Sequence, residues 1–166
     1  MLVRPLVDDD RPWTNETLRR SWGSTAVARK GELLDAAVLP GFVAAEGNRR
    51  VGLLTYVRRG DEVEIVTIHV EQEGRGAGRA LMDAVRALAV ATGVGRMWLT
   101  TTNDNIRAIL FYQRWGMDMF ALSRNGVAAS RRVKPSIPST SRDGIPIRHE
   151  LEFEMRLGPS HGDDPQ

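Results

Sequence analysis

Cysteine is absent from all 166 residues, which excludes a disulfide framework, a thiolate metal site and a cysteine nucleophile. Histidine is scarce. His69, His149 and His161 stand apart, with no pair four residues apart on a helix, so no metal site is expected. No run approaches the roughly 18 consecutive apolar residues of a membrane span. The opening residues, MLVRPLVDDDRPW, hold no apolar stretch of signal-peptide length and turn acidic at once. Net charge is only +2, which argues against a nucleic-acid partner despite local arginine clusters. A cytoplasmic enzyme or binding domain with no membrane partner is the expectation.

What is present is an ordinary globular composition, 42% hydrophobic and 27% charged, long enough for one domain with a proper core. Residues 1–158 are read as that domain and 159–166 as a flexible polar tail. Residues 1–6 read as a strand, and 8–22 as a helix with acids at its start and Pro12 in its first turn. Residues 23–40 read as loop with a helical turn. Three strands follow in quick succession, GFVAAE, RVGLLTYV and EVEIVTIHV, separated by Gly47-Asn48 and Arg59-Gly60-Asp61, the pattern of an antiparallel meander. A glycine-rich stretch leads into a helix with Leu81, Val85 and Leu88 at helical spacing and Gly93 as its stop. Then come a strand RMWLTT, a helix IRAILFYQRW closed by Gly116, and a short strand MDMFAL. The last strand, RHELEFEMRL, alternates Leu151, Phe153, Met155 and Leu157 with Glu150, Glu152, Glu154 and Arg156, which predicts one buried and one wet face. Between Arg124 and Ile147 the chain reads as a long irregular segment with three prolines and several basic groups.

The stretch EGRGAGRALM, residues 73–82, holds the most chemistry. A strand that turns through glycines into a helix leaves backbone N–H groups without partners, aimed along the helix dipole at whatever sits at its N-terminus. Phosphate is the usual guest. Spacing rules out two nucleotide loops. A Rossmann fingerprint needs a further glycine where Arg79 or Leu81 stands, and a Walker loop needs Gly-Lys-Ser/Thr where Gly78-Arg79-Ala80 stands. A plain flexible turn is the competing reading.

EGRGAGRALM after an apolar strand resembles the coenzyme A pyrophosphate loop of the GNAT-type N-acetyltransferases. NDNIRAILFYQRWGM, residues 103–117, resembles that superfamily's second signature, N-x-x-A-x-x-x-Y-x-x-x-G-F. The two stand in the right order with the right helix and strand between them, and the resemblance covers roughly residues 40–122. EIVTIHV, KPSIP and GIPIRHELEFE resemble a poorly characterised bacterial branch. The resemblance implies an α/β (α+β) fold with a mixed, mostly antiparallel central sheet of about six to seven strands flanked by helices. It implies acetyl-CoA as co-substrate, no metal, and direct transfer of an acetyl group to a primary amine of a small molecule. A non-catalytic acyl-CoA-binding sensor is the alternative, and a homodimer is one expected assembly.

Residue by residue, the resemblance places Gly74, Arg75, Gly76, Ala77, Gly78 and Arg79 around the pyrophosphate. It places the main chains of Ile68 and Val70 against the pantetheine amides like an added strand, and Asn105 on the pantetheine arm. One departure stands out. The superfamily opens the loop with Gln or Arg where Glu73 is found here, so Glu73 is expected to turn toward an arginine or solvent.

Acetyl transfer from a thioester sets two proton problems. A lysine-like amine is only about 0.1% neutral near pH 7.4, and the departing thiolate, with pKa near ~8.5, is helped by a proton donor. Tyr112 matches the family's proton donor; its rival role is a half-buried core aromatic. Asn105 and its neighbours Asn103 and Asp104 are equally suited to cap the second helix. Glu64 is the candidate base, on a strand where burial raises a carboxylate's pKa, unless it is merely solvated. His69 falls on the opposite pleat by simple alternation and reads as structural. For the acceptor, Trp13 and Trp22 are candidate pocket walls or core. Arg131, Arg132 and Lys134 either select an anionic acceptor or form a solvated basic loop.

Overall fold

Val- and Ile-rich runs broken by glycine turns fold as the meander their pattern predicts. In the computed structural model, which describes residues 1–158, β4 (Gly41–Glu46), β5 (Arg49–Arg59) and β6 (Glu62–Val70) pair antiparallel in sequence. Gly47 and Gly60 adopt φ of +58° at the two turns, a conformation that costs a residue with a Cβ. β1 (Leu2–Pro5) adds to the free edge of β4. After β6 the chain crosses over through α2 (Ala77–Ala91), so β7 (Arg96–Thr102) returns parallel to β6. Then follow α3 (Ile106–Trp115), β8 (Asp118–Ser123), α4 (Val127–Val133) and β9 (Glu150–Arg156), which inserts between β7 and β8. The result is a mixed, mostly antiparallel seven-stranded sheet in the order β1-β4-β5-β6-β7-β9-β8. The α+β class with flanking helices is as expected; the tail expectation for 159–166 lies outside the described residues.

One face of the sheet is apolar. Leu81, Met82, Val85 and Ala89, at helical spacing on α2, are fully buried against Leu54, Val63, Ile65, Leu99 and Phe153. α3 joins that layer through Tyr112 and Trp115, and Trp115 Nε1 donates to Asp83 of α2 at 2.9 Å. On the other face lies α1 (Arg11–Trp22), whose Leu18 packs on Leu53 and Ala36, with Trp13 and Trp22 against the same cluster.

Three expectations change. Residues 23–40 are not mainly loop: β2 (Ala26–Arg29) and β3 (Glu32–Asp35) form a separate two-stranded hairpin, followed by a 3-10 turn at Ala36–Val38. Its signal was a Lys30-Gly31 pair between two short apolar runs, and both residues take positive φ, +52° and +71°. The 124–147 segment contains α4. The predicted wet face of β9 is covered, because the hairpin and α4 lie over it: Glu150 is buried, and Glu152 and Glu154 are half-buried in ion pairs with Lys30 and Arg96.

The start of α1 is tied down by charge. Asp10 is the N-cap residue of α1, but its side chain makes no capping bond; its buried carboxylate accepts from Arg4 Nη1 at 2.6 Å and Nη2 at 2.9 Å, from Arg50 Nε at 2.7 Å and from the Val7 amide at 3.0 Å. The Arg4 hydrogen bonds, helped by Val7 and Arg50, hold this carboxyl well below its ordinary value. A depressed carboxylate stabilises the fold above the unfolded value and loses that contribution as pH falls. Asp10→Asn is therefore expected to cost about 2–3 kcal/mol at neutral pH, read by urea unfolding. The gap from the parent protein should shrink progressively below pH about 4.

Candidate active site

Parallel pairing of β6 with β7 runs only from Glu62↔Arg96 to Ile65↔Leu99. Beyond that point β6 stays with β5 and β7 stays with β9, so the two strands diverge. The cause lies in β6. Thr67 pairs with Thr55 and Ile65 with Tyr56, leaving Val66 as an extra residue, a β-bulge that bends and twists its strand. The β7-facing edge of Val66–Val70 has no strand partner among the described residues. The main chains of Ile68 and Val70 lie along this opening, while their side chains pack against the apolar core.

The bulge also resets the pleat. Ile65 and Ile68, three apart, both join the α2-side core, so Glu64, Thr67 and His69 share the opposite face. This corrects the expectation that His69 and Glu64 lie on opposite faces. His69 Nδ1 is 3.0 Å from Ser21 Oγ of α1, and its Nε2 is buried without a hydrogen-bond partner. Burial lowers the pKa of its imidazole, against the opposing pull of Glu71.

At the far end of β6 the chain turns through Gly74 (φ +76°) and Gly76 (φ +83°) into α2. Gly76 is the N-cap, and the first helical hydrogen bond runs from Ala80 N to Gly76 O at 3.0 Å. The amides of Ala77, Gly78 and Arg79 therefore have no acceptor within the helix. No side chain caps them and no acid occupies the first turn. Three donors and the positive end of a four-turn helix dipole thus face outward beside the β6–β7 opening. Arg75 and Arg79 are exposed at its rim. Glu73 turns toward an arginine, as expected: its carboxylate meets Arg107 Nη1 of α3 at 3.1 Å. Gly78 has its own reason to lack a side chain, because a Cβ there would lie 3.3 Å from Phe111 Cζ.

α3 carries the second motif. Asn105 is its N-cap, accepting from the Ala108 amide at 3.4 Å, so the capping role weighed for it is filled. Its neighbours do other work. Asn103 accepts from the Arg148 and His149 amides at 2.9 and 2.8 Å, and Asp104 accepts from Thr102 Oγ1 at 2.6 Å. Tyr112 is only 6% exposed and sits between the rings of Phe111 and Phe153, at 5.5 and 5.6 Å. Burial pushes its hydroxyl above the ordinary phenol value, so it remains protonated at neutral pH.

On the opposite face Glu64 is buried but not alone. Arg29, from β2, donates from Nε at 2.6 Å and Nη2 at 2.7 Å to its two oxygens and reaches Glu32 at 3.1 Å. The solvated alternative for Glu64 is thereby removed. Arg29 was the residue the sequence did not flag. The basic segment is also committed. Lys134 Nζ donates to the carbonyls of Trp22 and Ala26 at 2.8 and 2.7 Å, and Arg131 donates to those of Ile137, Pro138 and Ile147. Arg131 thus ties the segment to its own carbonyls, and Lys134 ties it to the end of α1 and to β2. Arg132 alone of that group is exposed. Trp22 and Trp13 are partly buried and pack on the Leu18, Ala36 and Leu53 cluster. Among the described residues no group of His, Asp and Glu is arranged to hold a metal, and no helix is long and apolar enough to cross a membrane.

The fold is that of solved acetyltransferases. The Acetyltransferase (GNAT) family matches residues 7–117, and the chain belongs to that family. It is 33% identical to the uncharacterized protein YdhI of Bacillus subtilis (strain 168) over 154 residues, 92% of this chain and 96% of that protein. It is 34% identical to the uncharacterized protein YxbD of the same organism over 158 residues, 95% and 99% of the two chains. The crystal structure of a Bacillus subtilis acetyltransferase in complex with CoA superposes with a TM-score of 0.65 at 16% identity, covering 93% of this chain and 97% of that one.

The Arg29–Glu64 pair sets a stability test. Arg29→Met leaves a buried carboxylate unpaired and is expected to cost about 3–5 kcal/mol, whereas Arg29→Met with Glu64→Leu recovers most of it. Urea unfolding of the single and double variants measures both.

Proposed function

We propose that this protein transfers an acetyl group from acetyl-CoA to a primary amine of a small molecule, in a ternary complex and without a metal. The observation that carries the reading is the set of three unpartnered amides at Ala77, Gly78 and Arg79, set behind two left-handed glycines and beside the β6–β7 opening. This geometry suits a pyrophosphate at the helix end and an extended pantetheine arm along the free edge of β6. Family membership and the CoA-bound relative support the co-substrate. Acetyl-CoA supplies the activated thioester; the protein supplies alignment, hydrogen bonds and proton handling.

The balance is simple. The acceptor ammonium loses a first proton, its nitrogen forms a bond to the thioester carbonyl carbon and gives up a second proton, the C–S bond breaks, and the departing thiolate takes up a proton, so that one proton is released net. Tyr112, buried and protonated, is assigned to the last step. Glu64 is assigned to the first, through water, because a carboxylate has lone pairs beyond the two that Arg29 occupies. Gly74, Arg75, Gly76 and Arg79 hold the phosphates. Asn105 keeps its side-chain amide group for the pantetheine arm while its oxygen caps α3. Arg132 is the remaining candidate on the basic segment for acceptor contact. One observation favours a second reading, a binding-only sensor: the bidentate Arg29 pair occupies the candidate base.

Release of free coenzyme A thiol across a panel of amines separates the two. Turnover with at least one amine is expected. Tyr112→Phe should lower kcat by about 10²-fold or more while leaving the Kd for coenzyme A within about twofold. Tight acetyl-CoA binding with no thiol release from any amine would overturn the enzyme reading.

A further inference from the structure

On the covered face of β9, Glu152 and Glu154 are each paired with a cation, and Glu150 is not. Glu150 is 3% exposed, and its carboxylate accepts only from neutral donors, Ser130 Oγ at 2.6 Å and the Lys30 amide at 3.0 Å. Among the described residues no lysine, arginine or histidine nitrogen forms an ion pair with it. A buried carboxylate without a cation is costly, and such groups are ordinarily paired. Beside it Glu152 is paired with a single ammonium, Lys30 Nζ at 2.9 Å, which also lies 5.0 Å from the centroid of the Trp98 ring. Carboxylate and aromatic face together form a site that already binds an ammonium group.

That ammonium is delivered by a strained residue. Lys30 holds φ of +52° at the tip of the β2–β3 hairpin, where Asn or Gly is the ordinary occupant. A cleft of about 360 Å³ opens there, lined by Lys30, Ser123, Gly126, Ala129, Glu150 and Glu152. Its position matters for the chemistry. Glu152 stands opposite Thr100, and Glu150 opposite Thr102, on the arm of β7 that parts from β6. Thr100 Oγ1 is buried with no partner. Strand spacing puts these acids roughly 5–10 Å from the opening where the thioester would lie.

We infer that the acceptor is a diamine or polyamine: one nitrogen reacts at the β6–β7 opening, and a second, protonated nitrogen binds in this cleft against Glu150 and Glu152. The inference rests on the acetyl-transfer reading and sharpens it. Two carboxylates face one internal ammonium, so a second cation completes the balance at Glu150. Lys30 Nζ, on a flexible stem and about half exposed, competes for Glu152 and yields to a tighter cation.

The test compares 1,4-diaminobutane and spermidine with butylamine and 4-aminobutan-1-ol in the thiol-release assay. KM for the diamines is expected to be about tenfold or more below that for the two monoamines. Glu150→Gln keeps a group that accepts from Ser130 and should collapse that preference through KM, with kcat for the diamine retained. Lys30→Gly suits the left-handed tip, removes the internal competitor, and should lower the diamine KM further. Equal KM for 1,4-diaminobutane and 4-aminobutan-1-ol overturns the inference while leaving acetyl transfer standing. Should no amine release thiol, the acetyl-transfer reading fails by itself. Calorimetric titration of spermidine then reads the cleft alone. Binding lost in Glu150→Gln supports a polyamine site, and absence of binding to the parent protein overturns it.

Discussion

One extra residue in one strand shapes the working part of this molecule. The bulge at Val66 twists β6 away from β7 just after Ile65 and Leu99, and a continuous sheet becomes a forked one. The fork exposes main-chain groups in the middle of the fold, where a sheet would ordinarily satisfy them. It also brings Glu64, Thr67 and His69 onto one face while Ile65, Ile68 and Val70 serve the apolar core on the other. Without the bulge, strict alternation would send His69 to the side opposite Glu64.

The two faces then divide the labour. Behind the sheet, α2 and α3 are positioned by apolar burial, and their placement fixes the bare N-terminus of one and Tyr112 of the other. In front, a small apolar cluster around Leu18 and Leu53 seats α1, and polar contacts position the rest. Arg29 on Glu64, Lys30 on Glu152 and the Lys134 ammonium on two carbonyls hold the β2–β3 hairpin and α4 over the acidic face of β9. A face held by ion pairs exchanges partners more readily than one held by packing.

Much of the fold was legible. The meander, α2, α3 and their glycine stops follow from period-2 and helical patterns with Gly47, Gly60, Gly93 and Gly116 as punctuation. The glycine turn into α2 and Glu73's turn toward an arginine were legible too, because they depend on local backbone and neighbouring charge. What depended on distant contacts was not. The hairpin at 26–35 was hidden by its short, mixed strands. The burial of Glu150 was hidden because alternation shows that a face differs, not what covers it. Arg29 draws no notice in the sequence, and Lys134 reads as an anion selector or part of a solvated loop, because their partners lie 35 and 108 or more residues away. The bulge left no local mark in EIVTIHV, and so the pleat beyond it was misassigned.

The central claim is that the amides opening α2 hold the pyrophosphate of coenzyme A. Two-dimensional ¹H–¹⁵N spectra during titration with coenzyme A test it most directly. The largest saturable shifts are expected at Ala77, Gly78 and Arg79, with Ile68 and Val70 following along the fork. Saturable binding that leaves those three amides unmoved would contradict it.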